Sequence, residues 1–334
     1  MKRRHLSLPA RTLGTTRRVS SLAFTALALL SAAGLLSSIA VAKTAPPPPT
    51  QEKKEKLPAL RWDPPRVDAP IASLSTTPAC SLPDVLNQAG QRAEELVDHL
   101  QNFIAHEQIR YDSRFVPESS NGSVGTETTR RGGISGGESL TAKFDYVVDF
   151  GGKSGQMQVH EFRKPLPGAN NEYLRAILDR GLPVLALIFR PALQSDYEMS
   201  CEGSVHWHNQ LAWVVDFRQK KGMRPRTLEM RTGTKAYPLS IRGRAWIAAN
   251  SGQVIHLETN LVSPVPPLEL QEYAFSVDYS AVKFQSQNVE IWLPLSAVAY
   301  RHNADQHMIT EHTFSGFQLF SVQTHETTQP HSEP

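Results

Sequence analysis

Apolar residues recur at three- and four-residue spacing over one early stretch and alternate with polar residues over most of the chain beyond it. Val85, Leu86, Ala89, Ala93, Leu96, Val97, Leu100, Phe103 and Ile104 share one helical face, and Glu94, Glu95, Asp98 and His99 take the other. Ser81 and Asp84 make a capping-box-like start, with Pro83 in the first turn, where a missing N–H leaves no bond unmade. The pattern predicts a long amphipathic helix with one side buried against something large.

Strand patterns dominate after it. Residues 144–150 end at Gly151-Gly152, and 156–163 form a natural return strand. Leu211, Trp213, Val215 and Phe217 alternate with Ala212, Val214, Asp216 and Arg218. Residues 241–249 run through Asn250-Ser251-Gly252-Gln253 into 254–259, a strand, a tight turn and a strand. Segments 275–284, 289–293, 295–302 and 313–325 complete the set. Residues 171–180 read as a short helix stopped by Gly181 and Pro183, and 182–190 are apolar throughout, so helix and strand fit equally there. The expected fold is mainly β (α+β). A curved antiparallel sheet or half-barrel, with 241–261 as its central hairpin, packs on the N-terminal helix and the short helical insertion.

The N-terminus changes the picture of charge and location. Basic residues from Lys2 to Arg18 precede an uncharged run, 22–42, that ends in Ala40-Val41-Ala42. That is the layout of a signal peptide cleaved after Ala42, the alternative being a retained membrane anchor. Without Lys2, Arg3, Arg4, Arg11, Arg17 and Arg18, 29 Lys plus Arg face 32 Asp plus Glu, a net charge of −3 rather than the +3 of the full chain. The basic balance belongs to the leader, and nothing argues for a nucleic-acid partner. Residues 43–75 hold Pro46 to Pro49, Pro58, Pro64, Pro65 and Pro70 and read as an extended linker. Residues 76–326 form the expected domain and 327–334 a disordered tail. The expected location is the periplasm or cell envelope, close to a membrane through the N-terminal segment.

Two cysteines, Cys80 and Cys201, are either one disulfide of an exported protein or two buried thiols. Catalytic motifs are weak. Gly133-Ile134-Ser135-Gly136-Gly137 matches G-x-S-x-G but lacks the strand before and helix after that a nucleophile elbow needs. Gly152-Lys153-Ser154 lacks the earlier glycine and the helix of a phosphate-binding loop. His206 and His208, two apart on a strand, would share a face toward a metal, but no third ligand completes the set. Surface or edge positions are the simpler reading for them, as for His302, His307 and His312. Arg242, Arg244 and His256 either meet an anionic headgroup or lie on the solvated face. No motif calls for a cofactor, and no enzyme class is indicated.

The stretch from Gly243 to Glu258, Gly-Arg-Ala-Trp-Ile-Ala-Ala-Asn-Ser-Gly-Gln-Val-Ile-His-Leu-Glu, resembles the hairpin of the outer-membrane lipoprotein carrier superfamily, the LolA/LolB-like proteins. Ile291-Trp292-Leu293-Pro294-Leu295 looks like that family's following element. The resemblance implies a curved sheet wrapped on helices around an apolar cavity for acyl chains. It does not by itself imply lipoprotein transport, since one fold hosts many functions. The expectation is a non-enzymatic envelope protein that binds a lipid, lipoprotein or other apolar ligand between helix and sheet. The cavity candidates are Leu96, Leu100 and Phe103 from the helix, and Trp213, Val215, Trp246 and Trp292 from the sheet. Alternation allows only one of Trp246 and Ile247 to face inward. The competing readings are an envelope protein-interaction module with a filled core, and a hydrolase or metal enzyme built on the Gly133 loop or the histidines.

Overall fold

The structure, a computed structural model, describes residues 58–99, 102–115, 138–151, 158–166, 180–232, 234–285 and 288–320. The expected leader at 1–42, the Gly133 and Gly152 motifs, residues 171–179 of the helix expected over 171–180, Leu100 and the expected tail at 327–334 lie outside them.

Helix α1 (Leu82–His99) buries Val85, Ala89, Gly90 and Ala93. It ends five residues before the expected Ile104. Phe103 lies instead on β1 (Asn102–Phe115), where Phe103, Ala105, Ile109 and Tyr111 alternate into the core. Helical spacing and strand alternation overlap in this stretch. Pairing with strands on both sides decides for the strand, because it satisfies the backbone groups along most of β1.

The remaining strands of the main sheet are β2 (Glu138–Gly151), β3 (Gln158–Pro165), β4 (Tyr197–Trp207), β5 (Gln210–Gln219), β8 (Ile241–Ala248), β9 (Val254–Leu261), β10 (Leu270–Phe284), β11 (Val289–Asn303) and β12 (Gln306–Leu319). A separate small hairpin holds β6 (Glu229–Thr232) and β7 (Lys235–Pro238). The ten strands run β3-β2-β1-β12-β11-β10-β9-β8-β5-β4 in one open antiparallel sheet with β3 and β4 at its edges. The β8–β9 hairpin is therefore interior but off-centre, since β10 and β11 hold the middle. The expected segments 289–293 and 295–302 are one strand. Pro294 breaks the pattern but not the strand, because it sits at a register shift opposite Asp278 and Tyr279, the kind of place a sheet tolerates proline.

One face of the sheet carries the main core. The ambiguous 182–190 stretch resolves as a 3-10 helix, Leu182–Phe189, with all eight residues buried. It packs with α1, β9 and β11 around Val215, Phe217, Ile247, Leu257, Phe275 and Leu293. Gly181 begins it at φ 86, a left-handed conformation that suits glycine. The expected disulfide is present between Cys80 and Cys201, with Cα atoms 6.3 Å apart, within the usual span for a bridge. It joins the approach to α1 to the edge strand β4.

The opposite face carries part of the stretch expected as a linker. Within the described residues, 58–75 do not stand clear of the domain but cross this face as a strap. Leu60 N–H donates to Asp112, Trp62 stacks on His307 at 3.8 Å, Asn260 donates to the Pro65 carbonyl, and Ser75 pairs with Ser204. Arg242 reaches Asp68 at 2.6 Å, and Arg244 donates to the Ala69 carbonyl and to Glu202. Proline favours an extended chain with few donors of its own. Such a chain lies across a sheet well, held by side chains and carbonyls rather than by a ladder.

Candidate functional site

The space between α1 and the sheet is mostly occupied by the 3-10 helix. What remains is a cleft of about 260 Å³ at the C-terminal half of α1. Ala89, Ala93 and Leu96 line it from the helix, Ala186 from the 3-10 helix, and Val254, Tyr279, Ile291 and Trp292 from β9, β10 and β11. Arg92, Glu95, His99, Gln253, Asn288 and Glu290 form its polar rim. Arg92 donates to Glu95 at 2.6 Å and to the Ser251 carbonyl at 2.8 Å, which pins α1 to the β8–β9 turn.

Of the residues nominated from the sequence, Leu96 and Trp292 line this cleft. Phe103 and Val215 are fully buried in the core, where Phe103 meets Tyr146 and Phe317. Trp213 packs against the same core without reaching the cleft. Trp246 faces the other way. The β8–β9 register shifts between Trp246 and Ile247, so that Ile255 is an extra residue on β9, a β-bulge. Alternation along β8 puts Ile247 in the main core and Trp246 on the strap face, and the bulge turns Ile255 to the strap face and Val254 to the core.

That strap-face cluster contains an ordered His–Asp pair. His256 Nδ1 lies 2.7 Å from Asp278 and its Nε2 lies 3.6 Å from Glu258. The ring stacks on Trp207 at 4.2 Å and meets Trp246 edge-on at 4.7 Å. Arg242, Arg244 and His256 are thus already partnered by Asp68, Glu202 and Asp278 and do not form an open anion site. Burial opposes charge on His256, but Asp278 and Glu258 outweigh it and raise its pKa above the ordinary 6.5. Burial also opposes charge on Asp278, and the bond to His256 outweighs it and lowers the carboxyl below 3.8. A raised base stabilises fully below its unfolded value, and a lowered acid stabilises fully above its own. The pair should therefore contribute most at about pH 5–6. Its contribution declines as pH rises through the folded value of His256. Thermal melts of the wild type and His256→Phe should draw together as pH rises above the ordinary 6.5 of histidine, and a gap that stays constant as pH rises would refute this.

A second polar cluster, unforeseen from the sequence, lies on the core face. Glu107 on β1 receives a bidentate pair from Arg163 on β3, at 2.6 and 2.9 Å, and the His312 Nδ1–H from β12 at 2.8 Å. Arg163 crosses over the Tyr146 ring of β2 at 4.7 Å. The Tyr146 hydroxyl donates to Glu161, whose carboxylate also accepts the Gly181 N–H. Burial acts to raise the Glu107 carboxyl, but Arg163 and His312 overcome it and hold the group below its ordinary range. At Glu161 burial prevails and the pKa is raised. The network ties four adjacent strands to the start of the 3-10 helix. His312, expected at a surface or edge, is fully buried. The signal was available: Glu107 occupies the inward phase of Phe103, Ala105, Ile109 and Tyr111.

The histidine metal site is not formed. β4 ends at Trp207, and His208 and Asn209 make a two-residue turn with φ 45 and 66, so His206 and His208 do not share a strand face. Positive φ at both turn residues matches the twist of a hairpin. His302 and His307 meet edge-on at 4.4 Å beneath Trp62. Among the described residues, no group of three His, Cys, Asp or Glu is placed to hold a metal.

No protein-family model and no curated protein matches the chain. Among solved structures it is similar to a DUF1329 family protein from Desulfovibrio piger, at 12% identity over 72% of this chain and 94% of that one, with a TM-score of 0.37. It is also similar to a structure from Vibrio parahaemolyticus described as an outer membrane lipoprotein-sorting protein domain, at 9% identity, the same coverage and a TM-score of 0.38. A third is the MucA/MucB complex of Pseudomonas aeruginosa, at 10% identity over 72% of this chain and 100% of that one, with a TM-score of 0.20.

Proposed function

We propose that this is a non-enzymatic, exported cell-envelope protein that holds an apolar moiety of a lipid or acylated partner in the cleft between α1 and β9–β11. The observation that carries the reading is the cleft itself. Its floor is built from Ala89, Ala93, Leu96, Val254, Ile291 and Trp292, and its rim from charged and amide side chains. A concave apolar surface with a few polar groups at its mouth is the usual form of a small-ligand site. The Cys80–Cys201 bridge and the leader-like residues 1–42 support export to an oxidising compartment.

A second reading, a protein-interaction module with a filled core, is favoured by the 3-10 helix, which occupies most of the helix–sheet space. Leu96→Trp separates the two. Leu96 is half-buried and lines the open cleft, so a larger ring there fills empty space instead of overpacking a closed core. In native mass spectrometry with solvent extraction, the wild type should carry lipid and Leu96→Trp should carry none. Its unfolding midpoint should stay within a few degrees of wild type, equivalent to less than about 1 kcal/mol. Lipid-free wild type purified from envelopes would favour the filled-core module.

A further inference from the structure

The dimensions and anchoring of the cleft restrict what can enter it. A cavity of about 150 Å³ accommodates a benzene ring, so 260 Å³ holds roughly ten carbon-sized units on the same scale. That is a good part of one acyl chain and too little for two side by side.

The cleft cannot readily widen, because α1 is held along its length. Its approach is bridged to β4 by Cys80–Cys201. In its first half, Gln194 donates to the Leu86 carbonyl at 3.0 Å. Gly90 lies so close to Gln194 and the Phe189 carbonyl that a Cβ there would sit 3.0 and 3.2 Å from them. Further along, Arg190 bonds Glu94 at 2.7 Å and Arg92 bonds the Ser251 carbonyl. The far wall is fixed as well, with the Tyr279 hydroxyl donating to the Leu182 carbonyl at 3.2 Å.

The rim is electrically balanced. Arg92 pairs with Glu95 at 2.6 Å, and Glu290 pairs with Lys283 at 3.7 Å. A headgroup at the mouth meets both signs close together and no dominant field.

Resting on the proposed binding function, we infer that the ligand is a single-chain amphiphile, with about ten carbons buried and a headgroup of any charge left in solvent. A diacyl or triacyl chain cluster does not fit. The test is a titration of the delipidated protein, with its disulfide intact, followed by tryptophan fluorescence, since Trp292 lines the cleft. The probes are lysophosphatidylcholines of increasing chain length, a lysophosphatidylglycerol, and vesicles of dipalmitoylphosphatidylcholine.

Affinity should rise about fourfold per methylene and level off near ten carbons. The two headgroups should agree within about threefold, because balanced rim charges contribute little net field. Diacyl vesicles should give no shift, and Leu96→Trp should abolish the response to every probe. Diacyl binding as tight as lyso-lipid binding, a chain-length dependence that continues past about fourteen carbons, or a tenfold headgroup preference would overturn the single-chain inference while leaving the binding function intact. Silence toward every probe, from a protein that also purifies without lipid, would overturn both.

Discussion

Replacing Arg163 by Met should cost about 3–5 kcal/mol of unfolding free energy, the cost of leaving a buried charge without its partner. Glu107 is 1% exposed and takes both guanidinium bonds. Without Arg163 its carboxylate keeps His312 but loses the fixed positive charge that holds it ionised. Desolvation then pushes the group toward its neutral form. The stability that Glu107 now contributes, lost as pH falls through its lowered folded pKa, should therefore disappear at a higher pH in the variant. Urea unfolding at pH 7 and pH 5 reads both effects. The double variant Arg163→Met, Glu107→Leu should recover much of the loss, because replacing a buried pair as a unit is far cheaper than breaking it. A single variant within about 0.5 kcal/mol of wild type, the range of ordinary surface changes, would show that the network does not bear on stability.

Loss of the disulfide should have an effect of similar size. Cys80 and Cys201 are 121 residues apart, and closing so long a loop removes about 4–5 kcal/mol of unfolded-chain entropy on the loop-closure model. Cys80→Ser should lower the denaturation midpoint by a corresponding amount, and dithiothreitol should reproduce the shift in wild type but not in the variant. The strap should also loosen, since Ser75, paired with Ser204 on β4, lies five residues before the bridge. Proteolysis within 58–75 should then accelerate in the variant. Identical midpoints with and without reductant would mean that the bridge holds nothing the fold does not already hold.

The amphipathic start of α1, the 144–163 and 241–261 hairpins and the mainly β class could all be read from local pattern, because each expresses a period of 3.6 or 2 over enough residues to be unambiguous. The end of α1 could not. Leu96, Leu100, Phe103 and Ile104 satisfy the helical period, while Phe103, Ala105, Ile109 and Tyr111 satisfy the strand period. Only the presence of β2 and β12 on either side of β1 settles between them. The same holds for the proline-rich 58–75. Its composition declares an extended chain, but that Trp62 lies on His307 and Asp68 on Arg242 depends on strands more than 170 residues away.

Of the six cavity candidates among the described residues, Leu96 and Trp292 come together at the cleft, and the reasons the others do not are tertiary. Alternation along β8 puts Trp246 and Ile247 on opposite faces, and the main core forms on the side of Ile247. The 3-10 helix takes the place beside Val215 and Phe217 that a ligand would have needed. By itself the sequence determined which residues are apolar and with what period, the presence of two cysteines, and a first stretch rich in positive charge, since these are properties of neighbours along the chain. Register, the direction of Trp246, the filling of the core by 182–189 and the meeting of Glu107, Arg163 and His312 were decided by the tertiary structure. Each depends on backbone pairing and volume between segments far apart in the chain, where one inserted residue reverses the face on which a side chain lies.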